Sequence, residues 1–272
     1  MKNKTKRYIE KKCGIDYEDK TVLITGANSG VGFAMAEQFL YVGANLIMAC
    51  RNIEKAENAK QTLLQQFPNA KITVLKLDLA NLSSIDEFVA EIKKSKLDID
   101  CFINNAGVFR QPNQKTADGL ELVMGTNYFG TYYLSTKILP YLKTLKHRVY
   151  FINTLSLVYK YAKLDFDDFY MEKEYGNFKI YSRSKLALAK FTHYLANFLG
   201  DSNIKVYGIH PGISITPIAT KAYKRWGKVG KCFKFLFNST EKSTLSALYV
   251  VAHDLPVGSL VGPKFLWGVR GY

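Results

Sequence analysis

The sequence predicts an α/β fold: a doubly wound, mostly parallel sheet of about seven strands flanked by helices. Three observations carry this expectation. Short apolar runs alternate with stretches of helical periodicity along the chain, with no linker, repeat or low-complexity tract between them. The runs are largely apolar throughout, as strands are when helices cover both faces of a sheet. The chemically distinctive residues fall at the C-terminal ends of these runs or in the helix that follows, the edge where open parallel sheets bind ligands.

Taken in order, residues 1–17 open with a basic stretch, Met1 to Lys12, that lacks the apolar core of a secretion signal. They are read as a frayed or surface-packed extension, and a single domain is expected over 18–272. Thr21–Thr25 is the first strand. It runs into Gly26-Ala-Asn-Ser-Gly30-Val-Gly32 and then into Phe33–Tyr41, which is apolar at helical spacing. Strand, glycine turn and helix form the setting a phosphate-binding loop needs. The glycines permit a tight turn and close backbone approach, and the helix N-terminus offers unpaired N–H groups. Gly26, Asn28, Ser29, Gly30, Val31 and Gly32 are therefore candidate ligands of a pyrophosphate. Further strands are expected at Asn45–Cys50, Ile72–Leu77, Asp100–Asn104, Arg148–Asn153, Ile204–His210 and Ser259–Val261. Helices are expected at Ile53–Phe67, Ser83–Lys94, Asp118–Tyr141 and Phe178–Leu199. Right-handed helical crossovers then join parallel strands.

Tyr181 and Lys185 lie four residues apart, so a helix places both on one face. A free phenol keeps its proton to about pH 10. A cation roughly 4 Å away, at an effective dielectric near 20, favours the phenolate by on the order of 4 kcal/mol. Such a pair makes a general acid for a carbonyl oxygen.

Thr25 to Gly32, Asn104-Asn-Ala-Gly107, Asn127, Ser156, Tyr181 with Lys185, and Pro211-Gly212 occur in the order and at the separations of the short-chain dehydrogenase/reductase family, which the chain resembles over roughly residues 18 to 272. Ala49-Cys50-Arg51-Asn52 and the tail Gly262 to Tyr272 resemble the retinol-dehydrogenase-like branch. The resemblance implies a Rossmann fold and an NAD(P)-dependent oxidoreductase acting on CH–OH or C=O groups. It casts Tyr181 as general acid/base, Lys185 as the group that lowers its pKa and bonds the nicotinamide ribose, and Ser156 as the donor that orients the reacting oxygen. Asn127 resembles the residue anchoring a proton-relay water. Many relatives read Ser-Ser where this chain has Leu155-Ser156, and Thr154 is expected to point elsewhere. Asp78 and Leu79 are similar to the pair framing adenine. Asn105, Ala106 and Gly107 would line the cofactor ribose, with a purely structural role for Asn105 equally open. Pro211, Gly212, Ile213 and Thr216 would hold the nicotinamide carboxamide. A non-catalytic nucleotide sensor on the same fold is the alternative, disfavoured because all four catalytic positions are kept.

Cofactor choice is read at the second strand. An NAD-binding chain usually carries a carboxylate about 20 residues beyond the glycine loop. Here Arg51 stands 19 positions past Gly32, preceded by Cys50. Its guanidinium suits a 2′-phosphate, and Asn28 and Asn52 could add bonds, so NADP is expected over NAD. Ser29 departs from this pattern, because many NADP-dependent relatives place a second basic residue there.

The 272 residues, 47% of them hydrophobic, can bury a large core. The formal net charge of +15 comes from lysines spread along the chain with no nucleic-acid module, so no nucleic-acid partner is expected. No apolar run reaches the roughly 20 residues of a membrane span. Cys13, Cys50, Cys101 and Cys232 are scattered without metal-ligand spacing, which predicts free thiols, no metal and a cytoplasmic setting. The pocket wall is expected from Leu157, Val158, Tyr159, Tyr161, Phe166, Phe169, Tyr223, Trp226, Phe233, Phe235 and Phe237, which suits an apolar carbonyl or alcohol substrate. A substrate lid is expected around 214–240. Within it Lys221, Lys224, Arg225, Lys228, Lys231 and Lys234 would share one helical face, so residues 221–237 read either as a solvated lid or as a peripheral membrane contact. A homo-oligomer and a monomer are equally consistent with these residues.

Overall fold

The computed structural model describes residues 1–109, 114–173, 175–212 and 244–263. Seven parallel strands form one sheet in the order β3-β2-β1-β4-β5-β6-β7. They are β1 Thr21–Thr25, β2 Asn45–Cys50, β3 Ile72–Lys76, β4 Cys101–Asn104, β5 Val149–Thr154, β6 Ile204–Ile209 and β7 Leu260–Val261. The chain winds outward from β1 in one direction and from β4 in the other, so the strand order reverses between them and opens a crevice at their C-terminal ends.

The helices are α1 Asn3–Tyr8, α2 Gly30–Tyr41, α3 Ile53–Gln66, α4 Leu82–Lys94, α5 Leu122–Met124, α6 Thr131–Leu142, α7 Asn177–Leu199 and α8 Leu245–Ala252. Local chemistry sets several ends. Asn52 caps α3 by accepting from Lys55 N at 2.8 Å, and Asn81 caps α4 by accepting from Ser84 N at 3.2 Å. Residues 1–17 pack on the sheet layer: Ile9 is 2% exposed and Tyr17 is 6% exposed, both inside the core that contains Val22 and Ile24. The two core layers lie on opposite faces of the sheet. One gathers Met35, Phe39, Leu46 and Leu248, the other Leu23, Phe88, Phe102, Phe151 and Leu195. Phe102 and Phe151 stack across β4 and β5 with centroids 5.3 Å apart. Burying each such side chain is worth about 1.5–3 kcal/mol.

The helix expected over Asp118–Tyr141 is broken. Asp118 instead accepts from Leu82 N at 3.0 Å, and Glu121 caps α5 through both carboxylate oxygens, on Val123 N and Met124 N. A wider π-helical turn, Gly125–Gly130, then precedes α6. Its two glycines pack flush against neighbours. A Cβ at Gly130 would lie 2.0 Å from the Leu79 carbonyl, and one at Gly125 would lie 2.4 Å from Thr116 Cγ2. Such turns mark functional positions, and this one carries Asn127.

The thiols of Cys50 and Cys101 are buried and in no disulfide, and that of Cys13 is partly buried. Among the described residues no helix is long and apolar enough to cross a membrane. The predicted lid 214–240, its basic face 221–237, Cys232 and most of the C-terminal tail lie outside the described residues.

Candidate active site

A cleft of about 1280 Å³ runs along the C-terminal edge of the sheet. Of the residues expected at the site, Gly26, Asn28, Ser29, Gly30, Val31, Gly32, Arg51, Asn52, Asp78, Leu79, Asn105, Ala106, Gly107, Ser156, Tyr181, Lys185, Pro211 and Gly212 line it. Asn127 stands directly behind the wall, and Ile213 and Thr216 fall outside the described residues.

At one end the chain leaves β1 and turns under the cleft. Gly26 has φ 68° and Gly30 has φ 57°, backbone that favours glycine. A Cβ at Gly32 would lie 2.3 Å from the Gly26 carbonyl and 2.6 Å from Asn105 Nδ2, so the turn closes only on a hydrogen there. Ser29 caps α2 in extended backbone without a side-chain bond to its N–H groups. Asn105 is engaged structurally: its Nδ2 donates to Thr25 O at 2.9 Å, and its backbone N–H donates to Thr25 Oγ1 at 2.9 Å. It joins the end of β4 to the glycine turn.

Arg51 sits exposed at the C-terminal end of β2, and its side chain has no ion pair among the described residues. Lys76 Nζ donates to its carbonyl at 2.6 Å. The Asn52 side-chain oxygen is already committed to the α3 cap, which leaves only its amide N–H groups for a ligand. Lys55, one turn into α3, also lines the cleft. It supplies a second cation that the glycine loop lacks at Ser29. The signal for it in the sequence was its position four residues after Arg51.

At the other end α7 presents Tyr181 and Lys185 one turn apart, as their spacing requires. Ser156, just beyond β5, lines the same cleft as Tyr181. Lys185 is 5% exposed and donates to Thr154 O at 2.9 Å. Its Nζ lies 5.9 Å from the Tyr181 ring centre. Burial dominates the electrostatics of both groups. It pushes the Tyr181 phenol above its ordinary value, with the Ser156 hydroxyl pulling the other way, and it brings the Lys185 ammonium down to about 8. Phe109 packs edge-on against Tyr181 at 4.9 Å.

Asn127 is 1% exposed and fully engaged. Its Oδ1 accepts from Val108 N at 2.7 Å, and its Nδ2 donates to Val108 O at 3.0 Å and Ser184 Oγ at 3.2 Å. It ties the chain after Gly107 to α7 beside Lys185. Thr154 is among the residues along the cleft, and its Oγ1 is buried. Thr126, in the π-helical turn, lines the cleft as well. The apolar wall near Tyr181 is Val108, Phe109, Leu155, Val158 and Phe178. Of the expected wall, Tyr161 and Phe166 are instead 80% and 79% exposed, and Phe169 packs into an aromatic cluster with Tyr128 and Phe129. Tyr223, Trp226, Phe233, Phe235 and Phe237 lie outside the described residues.

A glycine-floored turn, two cations at one end and a Ser–Tyr–Lys constellation at the other fit a dinucleotide. The family profile described as short chain dehydrogenase matches residues 20–226, and the chain belongs to that family. Within it the chain falls in the retinol-dehydrogenase-like branch. It is 41% identical to retinol dehydrogenase 14 of Mus musculus over 205 residues, covering 71% of this chain and 61% of that protein. Retinol dehydrogenase 13 of Mus musculus is 34% identical over 260 residues, covering 92% of this chain and 76% of that protein. The chain thus spans about three fifths of the length of the retinol dehydrogenase 14 proteins, 61% in mouse and human alike. Among solved structures, an uncharacterized protein from Mycobacterium Paratuberculosis superposes with a TM-score of 0.75 at 30% identity, covering 94% of this chain and 84% of that one. Levodione reductase shares the fold with a TM-score of 0.72 at 22% identity, covering 90% of this chain and 96% of that one.

Proposed function

We propose that the chain is an NADP-dependent oxidoreductase that moves a hydride between nicotinamide and an apolar alcohol or carbonyl substrate. One observation carries this reading: Ser156, Tyr181 and Lys185 converge at one end of a single cleft whose other end is the glycine turn with Arg51. When bound, the nicotinamide ring supplies or accepts the hydride at its carbon 4. Ser156 holds and orients the substrate oxygen, and Tyr181 gives that oxygen its proton in reduction or takes it in oxidation. Lys185 provides a buried cation one turn away, and Asn127 fixes the chain at Val108 against α7 so that the lysine keeps its place.

NADP is favoured over NAD because Arg51 and Lys55 both face the cleft beyond the end of β2. The apolar substrate rests on Phe109, Leu155, Val158 and Phe178 beside the phenol, and on relatives named as retinol dehydrogenases. A single catalytic unit over 18–272 with a lid around 214–240 belongs to the same proposal.

The test is NADPH oxidation by purified protein against aldehydes, ketones, quinones and retinal, with NADH and Tyr181→Phe as controls. Turnover that prefers NADPH and falls about 10²–10⁴-fold in the variant is expected. A Tyr181→Phe protein retaining more than a few per cent of turnover would remove Tyr181 from the chemistry.

A further inference from the structure

β6 ends at Ile209, and the chain then turns through His210, Pro211 and Gly212 at the C-terminal edge of the sheet. Leu155 N donates to Ile209 O at 2.7 Å, which sets this turn beside Ser156, and Pro211 and Gly212 line the cleft there. Gly212 has φ 69°, a conformation that glycine reaches easily and leaves as easily. Pro211 has no N–H, so Gly212 supplies the first backbone donor past His210. That donor goes to His210 Nδ1 at 3.2 Å.

The imidazole is itself held in place. His210 is 5% exposed, and its backbone N–H donates to Val261 O at 2.9 Å, joining it to the end of β7. Its ring lies against the backbone of the next residue, Gly262. A Cβ there would stand 2.0 Å from Nε2, 2.3 Å from Cδ2 and 2.5 Å from Cε1. Gly262 does not adopt a positive φ, so its own backbone would accept other residues, and the ring is what demands glycine. Burial, with the charge of Lys160 adding to it, brings the His210 pKa down to about 4, so the ring is neutral near pH 7 and Nδ1 can accept. An apolar side chain would fill the same space but leave Gly212 N–H without its partner.

We propose that His210 is a positioning residue: wedged against Gly262, it holds the Pro211-Gly212 turn in the shape that meets the nicotinamide half of the dinucleotide. The inference rests on the cofactor reading above. That the turn meets the cofactor is implied by the family. The addition is the imidazole that fixes the turn and the Gly262 contact that fixes the imidazole. His210 is not among the residues lining the cleft, and its effect passes through Gly212 N.

Two amide variants separate this role from simple packing. His210→Asn places an accepting oxygen where Nδ1 stands, and His210→Gln places it near Nε2, away from Gly212. NADPH is titrated by fluorescence, and 2′-phosphorylated ADP, which carries the adenine half alone, by calorimetry. His210→Ala and His210→Gln should bind NADPH roughly five- to tenfold more weakly, the worth of one net hydrogen bond, and His210→Asn should stay within about twofold of wild type. The adenine fragment should bind all three as it binds wild type. Gly262→Ala should weaken NADPH by a similar factor while His210 is present, and should add nothing in the His210→Ala background, where the methyl has room. The asparagine and glutamine variants decide the question if His210→Ala does not fold. Wild-type NADPH affinity in His210→Gln, or equal losses in His210→Asn and His210→Gln, overturns the proposal. So does fragment binding that weakens in step with NADPH, which marks a histidine that only holds the fold. Wild-type protein that binds neither NADPH nor the fragment would instead overturn the cofactor reading, and this inference with it.

Discussion

Replacing Lys185 with methionine sets stability against function at one side chain. The ammonium is 5% exposed, and burial brings its pKa from 10.5 down to about 8. A base with a lower pKa in the folded state binds fewer protons there than in the unfolded chain between about pH 8 and 10.5. Stability therefore rises with pH across that window, and the whole penalty is present below it. A fall from 10.5 to about 8 corresponds to roughly 3 kcal/mol at about 1.4 kcal/mol per pH unit. Methionine removes this penalty but gives up the 2.9 Å bond to Thr154 O, worth about 1–2 kcal/mol. At pH 7 the variant should therefore be more stable by about 1–2 kcal/mol, raising the melting temperature by roughly 2–8 °C. At pH 10.5 the wild-type lysine is neutral in the folded state, so the variant should be the less stable protein. Thermal unfolding of both free proteins at the two pH values reads the reversal. Destabilisation at pH 7, or a difference that ignores pH, would refute the reasoning.

Three further perturbations follow from the geometry. Gly32→Ala places a methyl 2.3 Å from the Gly26 carbonyl, so the turn must move. A loss of about 1–3 kcal/mol is expected, together with loss of the melting-temperature rise on adding NADPH, and a variant with wild-type response would show that the turn is adaptable. His147 Nε2 donates to Asp98 Oδ1 (2.6 Å), and Nδ1 lies 3.6 Å from Asp100 Oδ1. Burial opposes its charge, but the Asp98 bond, the Arg148 carbonyl and the Asp100 charge hold its pKa above the ordinary value. Its stabilisation is full below about pH 6.5 and fades as pH rises through the raised value. His147→Asn should accordingly lower the melting temperature more at pH 5.5 than at pH 8.5, and equal losses would exclude this account. Arg183, 7% exposed on α7, pairs with Asp165 at 3.6 Å and packs on the Tyr175 ring at 4.9 Å, pinning the chain between Ser156 and Tyr181. In steady-state kinetics, Arg183→Met should raise KM several-fold while kcat falls less. Unchanged KM would remove Arg183 from substrate positioning.

Much of the site was legible because its decisive spacings are local. Four residues on a helix place Tyr181 and Lys185 together whatever surrounds them, and a glycine turn between Thr25 and Phe33 needs only its own backbone freedom. Strand and helix ends fell within a residue or two of expectation at most elements, and the longer misreading was the helix from Asp118. There Asp118 is drawn to α4 and the π-helical turn is set by Thr116 and Leu79, contacts that no periodicity in Gly125–Gly130 announces. Helix α8, Leu245–Ala252, is apolar almost throughout, a pattern that serves a buried helix and a strand equally.

The identities and order of the motifs therefore carried the fold class, the family and the candidate catalytic groups, since each depends on chain-local geometry. The fall in the Lys185 pKa, the rise in the Tyr181 pKa and the exposure of Tyr161 and Phe166 became readable only once the chain was folded. Desolvation and hydrogen-bond partnership belong to whatever packs around a side chain, and those neighbours come from β5, the turn before α6 and α7, segments far apart in the chain.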